Sequence, residues 1–157
     1  QRLSRGLGDV YKRQIIYSAN CYGPGDTLDL NYGHIIPKLI IQCLKNKNFE
    51  LFGSLNAVRE FIYVKDLTKI IILSLIKVKK SSYFNVGSGE SIKISNLVKL
   101  IKTKTSFAKK IFTKPNIVDN SKRVCGNVNL KKMLNYKIMY KLNNGLEETI
   151  AWYKKFY

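Results

Sequence analysis

Three polar side chains stand at positions in this 157-residue sequence where they could do chemistry. Asn20 follows a short apolar run, and its amide group can donate and accept hydrogen bonds to a sugar or a carboxamide. His34 is the sole histidine, and an imidazole can take up or release a proton near neutral pH. Arg59 precedes an apolar segment, and its planar guanidinium suits bidentate contact with a diphosphate.

Each of these residues has a structural role as its alternative. The amide of Asn20 could close an Asx-type turn. His34 could cap the helix that follows it, and Arg59 could form a salt bridge with Glu60 or Asp66. The sequence alone leaves these alternatives open.

Arginine is scarce in a chain that is rich in lysine. The 28 cationic residues give a formal net charge of +18, yet Arg59 and Arg123 are the only arginines beyond residue 13. Lysine, asparagine and isoleucine are all abundant, which indicates a compositional bias rather than selection for a phosphate-binding face. A solvated lysine coat is therefore favoured over a nucleic-acid-binding role. Against that background, Arg59 predicts a contact that needs a guanidinium.

Length and composition indicate one soluble globular domain. The chain is 45% hydrophobic, and no apolar run approaches the roughly 20 residues that span a bilayer. Its three cysteines, Cys21, Cys43 and Cys125, give neither a disulfide framework nor a metal-binding pattern and fit a reducing cytoplasm. Cys21 is interpreted as a packing residue.

Alternating strand and helix patterns predict an α/β fold that would position these side chains. Strands are predicted at 15–17, 50–52, 61–64, 83–86 and 110–113, and helices at 35–44, 67–77, 130–134 and 146–157. Ser95 is expected to cap a further helix, whose Leu97, Val98, Leu100 and Ile101 face inward. Asp66 is expected to cap helix 67–77, whose wide apolar face predicts burial. Asn20 is expected at the carboxyl edge of the sheet, where open α/β folds bind ligands.

Three segments in this order resemble the C-terminal half of extended short-chain dehydrogenases/reductases, the NAD-dependent epimerase/dehydratase family. They are SANCYGPGD at 18–26, REFIYVKDL at 59–67 and YFNVGSG at 83–89. The resemblance covers about residues 15–157 and implies the C-terminal part of a Rossmann-type reductase, which binds a nucleotide-diphosphate sugar. It also implies NADP as cofactor, and dimers are common in the family.

The resemblance also implies roles for particular residues. His34 would be a general acid in epimerisation, beside the cofactor. The cofactor-binding set would be Ser18, Ala19, Asn20, Cys21 and His34. The substrate-binding set would be Asn20, Gln42, Phe52, Arg59, Asp119 and Arg123. Core packing of Phe52, and a solvated loop for Asp119 and Arg123, remain the alternatives.

Within the family, His34 and the Ile-Ile-Pro sequence after it resemble the GDP-L-fucose synthases, which epimerise and then reduce GDP-4-keto-6-deoxymannose. Phe52 stands where tryptophan is expected, and Gln42 where a basic residue is expected. These departures leave room for a UDP-sugar 4-epimerase or a sugar-nucleotide dehydratase.

Two features of the family's machinery are absent from this sequence. It has no glycine-rich dinucleotide-binding turn, and no tyrosine is followed four residues later by lysine. Residues 1–14 lack periodicity and are interpreted as a non-native segment. The sequence therefore predicts a fragment without the cofactor-binding half. Such a fragment is expected to be inactive alone and to expose strand edges and helix faces that favour association.

Overall fold

The computed structural model describes residues 13–46, 48–51, 53–113, 121–126 and 128–157. Within these ranges the strands are β1 (Gln14–Ser18), β2 (Asn20–Tyr22), β3 (Phe49–Leu51), β4 (Val58–Tyr63), β5 (Ser82–Val86), β6 (Ser91–Lys93), β7 (Ile111–Thr113) and β8 (Lys122–Arg123). The helices are α1 (Ile35–Leu44), α2 (Val64–Lys77), α3 (Ile94–Thr105), α4 (Val128–Leu134) and α5 (Leu142–Tyr153).

Parallel strand pairs dominate the sheets. β1 pairs with β5, β2 with β4, and β3 with β7, all in parallel. β4 also pairs with β8 in parallel and with β6 antiparallel, so among the described strands it has the most neighbours. The predicted α/β fold with parallel strands is confirmed.

β1 and β2 are almost one strand that changes its partner at Ala19. The Ala19 amide donates to the Val86 carbonyl at 2.8 Å, which completes the pairing with β5. The next residue, Asn20, already pairs with Phe61 of β4. The predicted boundary between residues 14 and 15 falls inside β1, because Gln14 pairs with Ser82.

Side chains of β4 pack into two separate hydrophobic clusters. Tyr63 belongs to the larger cluster with α1, α3 and α5, where Leu39 and Ile101 are fully buried. Ile62, its neighbour in sequence, belongs to the smaller cluster beneath β5 and α2. Since successive side chains of a strand point to opposite faces, β4 separates the two clusters.

Asp66 does not cap α2, contrary to the sequence prediction. The helix begins at Val64, so Asp66 lies inside its first turn and is buried. Its carboxylate accepts hydrogen bonds from the Tyr136 hydroxyl at 2.6 Å and from the Met139 and Tyr140 amides at 3.0 and 2.9 Å. The carboxylate therefore holds a distant segment against α2.

Two other helix starts also differ from the prediction. Ser95 lies within α3, which begins at Ile94 and has no side-chain cap. Leu97, Val98 and Ile101 are buried as predicted. The last helix, α5, runs from Leu142 to Tyr153 rather than over 146–157.

The prediction that α2 is buried on most sides is wrong. Ile70 is its only fully buried apolar residue, whereas Ile72 and Ile76 are 46% and 63% exposed. A wide apolar face predicts that a helix will be covered, but it cannot say whether the covering element lies in this chain. Among the described helices, none combines the length and apolarity needed to cross a membrane.

Candidate functional site

Asn20, His34 and Arg59 border the same cavity, although they are widely separated in sequence. The cavity has a volume of about 280 Å³, and its apolar lining includes Ile36 and Phe61. β2 supplies Asn20, β4 supplies Arg59, and His34 lies at the start of α1. We call this cavity the central crevice.

Asn20 is held by a bond across strands rather than by an Asx turn. Its Nδ2 donates to the Glu60 carbonyl at 2.9 Å. Among the hydrogen bonds of the described residues, none is accepted by Asn20 Oδ1. The amide orientation therefore leaves an acceptor for a ligand hydroxyl at the exposed start of β2.

His34 occupies the N-cap position of α1, but its side chain makes no capping hydrogen bond. The residue is exposed. It borders both the central crevice and a second cleft of about 490 Å³ beside the turn at 23–26. The imidazole thus lies where ligands in the two cavities could meet. The structure does not support the alternative that His34 caps α1.

Arg59 is half-buried, and one of its nitrogens is anchored to the backbone. Nη1 donates to the Ser121 carbonyl at 2.8 Å, the Val58 carbonyl at 3.0 Å and the Ser121 hydroxyl at 3.3 Å. The carboxylates considered as salt-bridge partners accept hydrogen bonds elsewhere: Glu60 from the Gly89 amide and Asp66 from the Tyr140 amide. The anchored guanidinium lies at the crevice in a restricted orientation.

Arg123 lies beside Arg59 in the sheet. It belongs to β8 rather than to a loop, and its Cα pairs in register with that of Arg59. Both arginines border a further cavity of about 280 Å³, whose other lining residues are Ser18, Ala19, Asn20, Glu60, Val124 and Cys125. We call it the arginine cavity. Two guanidinium groups on paired strands create a local positive potential suited to an anion that carries two charges.

The cleft at the turn after β2 is bordered by residues 18–26 and by His34. Gly23 makes this turn possible, because its φ is +155° and a Cβ there would lie 2.3 Å from Val64 Cγ1. A side chain at position 23 would push the turn away from the start of α2. The polar groups at the cleft include the Ser18 hydroxyl, the Asn20 amide, the Asp26 carboxylate and the His34 imidazole.

Gln42 is not brought to these cavities. It borders a separate cavity of about 270 Å³ with Lys38 and Glu50. That cavity adjoins the central crevice, since Ile35 and Leu51 border both. Two other predicted contacts, Phe52 and Asp119, lie outside the described residues.

Cys21 behaves as a packing residue beside the site. It is half-buried and packs against the smaller hydrophobic cluster. Burial raises the pKa of its thiol, and the nearby Asp26 charge raises that pKa further. In the part of the chain that the structure describes, no group of three or more His, Cys, Asp or Glu residues could hold a metal ion.

Sequence reasoning missed two residues that support the site. Ser121 anchors Arg59, and Glu60 holds Asn20 through its backbone carbonyl. Alternation along β4 could have indicated that Glu60 faces away from Arg59. Nothing in the sequence marks Ser121, because its partner is 62 positions away.

Known proteins share this arrangement of elements. Residues 12–87 match the model of the NAD dependent epimerase/dehydratase family. The GDP-L-fucose synthase of Dictyostelium discoideum is 26% identical over 96% of this chain and 50% of its own length. The dTDP-4-dehydro-6-deoxy-D-allose reductase of Streptomyces bikiniensis is 26% identical over 89% of this chain and 43% of its own length.

A solved structure superposes on nearly the whole chain. The UDP-glucose 4-epimerase of Thermotoga maritima, crystallised with UDP-glucose, gives a TM-score of 0.83 at 25% identity and covers 99% of this chain and 50% of that one. The chain spans about half the length of the curated relatives it matches. These likenesses confirm the resemblance that the three sequence motifs predicted.

Proposed function

Because residues 12–87 match the model of the NAD dependent epimerase/dehydratase family, we propose that this chain supplies the substrate-binding part of a nucleotide-sugar epimerase or reductase. The observation that carries the proposal is the meeting of Arg59, Arg123 and Asn20 at one cavity. A sugar nucleotide has a diphosphate for the two guanidinium groups and hydroxyls for the amide. No single structural role accounts for all three residues at that cavity.

In this proposal the arginine cavity binds the diphosphate. Arg59 contributes a positive charge on a guanidinium that is already oriented by Ser121, so little side-chain entropy is lost on binding. Arg123 is exposed and adds the second positive charge. Asn20 Oδ1 accepts a hydrogen bond from a sugar hydroxyl, because Nδ2 is occupied by Glu60.

His34 is the proton-transfer group of the proposal. Its imidazole borders both the central crevice and the cleft, and no capping bond restrains it. As a general acid, its imidazolium donates a proton to the sugar carbon that has lost one during epimerisation. The apolar lining of the central crevice, with Ile36 and Phe61, would exclude water from that step.

The cleft is proposed to hold the nicotinamide end of NADP. A ring can enter a cleft of about 490 Å³, and the Ser18, Asn20 and His34 side chains supply polar contacts to a carboxamide. The cofactor supplies hydride chemistry when it is bound. The chain's own residues orient it and hold His34 on the same side as the substrate.

Among the reactions of the family, we favour that of a GDP-L-fucose synthase, the epimerisation and reduction of GDP-4-keto-6-deoxymannose. The Dictyostelium relative and His34 support this choice. A UDP-sugar 4-epimerase or a sugar-nucleotide dehydratase is the second candidate. It is supported by the likeness to the Thermotoga epimerase and by the position of Gln42 outside the central crevice.

A titration tests the proposal. The protein is titrated with GDP-mannose and with UDP-glucose, and the same is done for Asn20→Asp, which places a carboxylate at the arginine cavity. We expect saturable binding of at least one sugar nucleotide and an affinity loss of about tenfold or more in the variant. Asn96→Asp, an exposed residue of α3, is the matched control and should bind normally.

Two outcomes would contradict the proposal. One is the absence of binding to either sugar nucleotide at millimolar concentration. The other is binding of duplex DNA whose affinity falls steeply with salt and which is insensitive to Asn20→Asp, since that behaviour is typical of non-specific phosphate contacts by lysines.

A further inference from the structure

Glu60 is a charged residue with only 2% of its surface exposed. Carboxylates are rarely buried to this extent unless hydrogen bonds compensate for the lost hydration. Here the two oxygens have different partners: Oε1 accepts from the Gly89 amide at 2.7 Å, and Oε2 accepts from the Cys125 amide. The carboxylate therefore connects the turn after β5 with the segment after β8.

The backbone at Gly87 packs directly against this carboxylate. A Cβ at position 87 would lie 2.2 Å from Glu60 Oε1 and 2.7 Å from its Cδ, and 2.9 Å from the Cys125 carbonyl oxygen. Only glycine leaves room for the carboxylate between the two segments. The contact between Glu60 and the two segments therefore requires glycine at position 87.

Glu60 is linked to both sides of the arginine cavity. Its backbone carbonyl accepts the hydrogen bond from Asn20 Nδ2. The carboxylate of Glu60 accepts from the amide of Cys125, two positions after Arg123. The residue before Glu60 in β4 is Arg59, which pairs in register with Arg123. Displacing the carboxylate would remove its bond to Cys125 and leave the segment that carries Arg123 held by the pairing of β8 with β4 and by the bonds to Ser121.

We propose that Glu60 is a positioning residue for the arginine cavity: its carboxylate holds segment 122–126 against the turn at 87–89 and keeps Arg123 beside Arg59. Glu60 borders the cavity, but its two carboxylate oxygens accept from the Gly89 and Cys125 amides, so it acts through these segments. The inference deepens the proposed function and rests on it for its effect on ligand affinity, but not for its effect on the protein itself.

Two different substitutions test the contact. Glu60→Gln keeps the size of the side chain, but its NH₂ group cannot accept from a backbone amide, so one of the two hydrogen bonds is lost. Gly87→Ala keeps the carboxylate and displaces it sterically. One matched control is Glu148→Gln, whose carboxylate accepts from Tyr63 at the end of β4 and from Lys65 on α2. The other is Gly126→Ala, where a Cβ would meet nothing within 4 Å.

Hydrogen exchange of the ligand-free protein gives the first readout. In Glu60→Gln and Gly87→Ala, we expect amides at 122–126 to exchange at least tenfold faster while α1 keeps its rate, because the lost contact is local. The two controls should leave 122–126 unchanged. Unchanged exchange there, or a uniform acceleration throughout the protein, would overturn the proposal.

Ligand titration gives the second readout. UDP-glucose and GDP-mannose should bind about tenfold more weakly to Glu60→Gln, whereas UMP and GMP, which lack the second phosphate, should lose less than threefold. Equal losses for all four ligands, or unaltered binding despite faster exchange at 122–126, would show that Glu60 does not position the arginine. If the unmodified protein binds no sugar nucleotide, the proposed function fails, and the exchange experiment still decides whether Glu60 holds the segment.

Discussion

Replacing Arg123 with alanine tests whether the paired arginines bind the diphosphate. Arg123 is exposed on β8 and borders the arginine cavity, so its removal should cost affinity without disturbing the hydrophobic clusters. Lys122, its exposed neighbour, does not border that cavity. Since side chains alternate along a strand, Lys122→Ala removes the same charge from the opposite face.

The size of the expected effect follows from the exposure of Arg123. A hydrogen bond to a charged group contributes about 1.5–3 kcal/mol when it is well protected from water. Solvent weakens it here, so we expect about 1–2 kcal/mol, which is roughly a fivefold to thirtyfold loss of affinity. A charge that acts only from about 10 Å in water contributes about 0.4 kcal/mol before screening by salt, so Lys122→Ala should lose less than twofold.

Isothermal titration with UDP-glucose and GDP-mannose at about 0.15 M salt measures both variants. The difference between them isolates the direct contact from the general effect of removing a positive charge. Equal losses in Arg123→Ala and Lys122→Ala would refute the reasoning, because they would mean that only the overall charge matters. An unchanged affinity in Arg123→Ala would refute it as well.

Three further results are expected. Asp66→Asn should lower Tm by about 3–12 °C, since at least one of three donors then loses its acceptor in a buried site. Hydrogen bonds from Lys65 and Tyr63 hold the pKa of Glu148 below its usual range, so its stabilising contribution exists above the unfolded-state pKa and is lost as the pH falls through the folded-state value. The difference in Tm between the unmodified protein and Glu148→Gln should therefore be largest near about pH 7 and vanish towards about pH 2. Ile76→Lys should reduce self-association in light scattering and leave Tm within about 1 °C, because this side chain is 63% exposed.

The controls for these results come from the same chain. Asp29→Asn alters an exposed carboxylate that accepts one backbone hydrogen bond, and should leave Tm nearly unchanged. A Tm difference for Glu148→Gln that increases towards low pH would contradict the sign of its pKa shift. Ile70→Lys, at a fully buried position of α2, should unfold the protein; if Ile76→Lys does so too, the face of α2 is not exposed as described.

Much of the candidate site was predictable because it depends on the ends of strands. Asn20 follows one apolar β-rich run and Arg59 precedes another, and the parallel pairing of β2 with β4 brings the two residues to one cavity. His34 was predictable as a residue that precedes a helix of clear periodicity. Turns and hydrophobic periodicity depend on residues close together in sequence, so both can be predicted from the sequence.

What the sequence could not predict depends on distant partners. Asp66 has the residue type and position of a helix cap, but residues 136–140 compete for its carboxylate and draw it into the interior. Gln42 faces a cavity that adjoins the crevice rather than the crevice itself, a distinction set by the packing of α1. The short strands β6 and β8 are too brief to show any periodicity, and their pairing with β4 defines them.

In β4, the cationic Arg59 lies on one face of the strand, and the next residue, the buried anionic Glu60, lies on the opposite face. Sliding this strand by a single residue would exchange the two faces. The carboxylate would then lie on the face that Arg59 now occupies, and the guanidinium would be forced against the tightly fitted backbone at Gly87. An insertion or deletion between residues 53 and 57 that shifted the register would thus place a negative charge at the proposed diphosphate site, which makes the length of that short connection as important as any side chain.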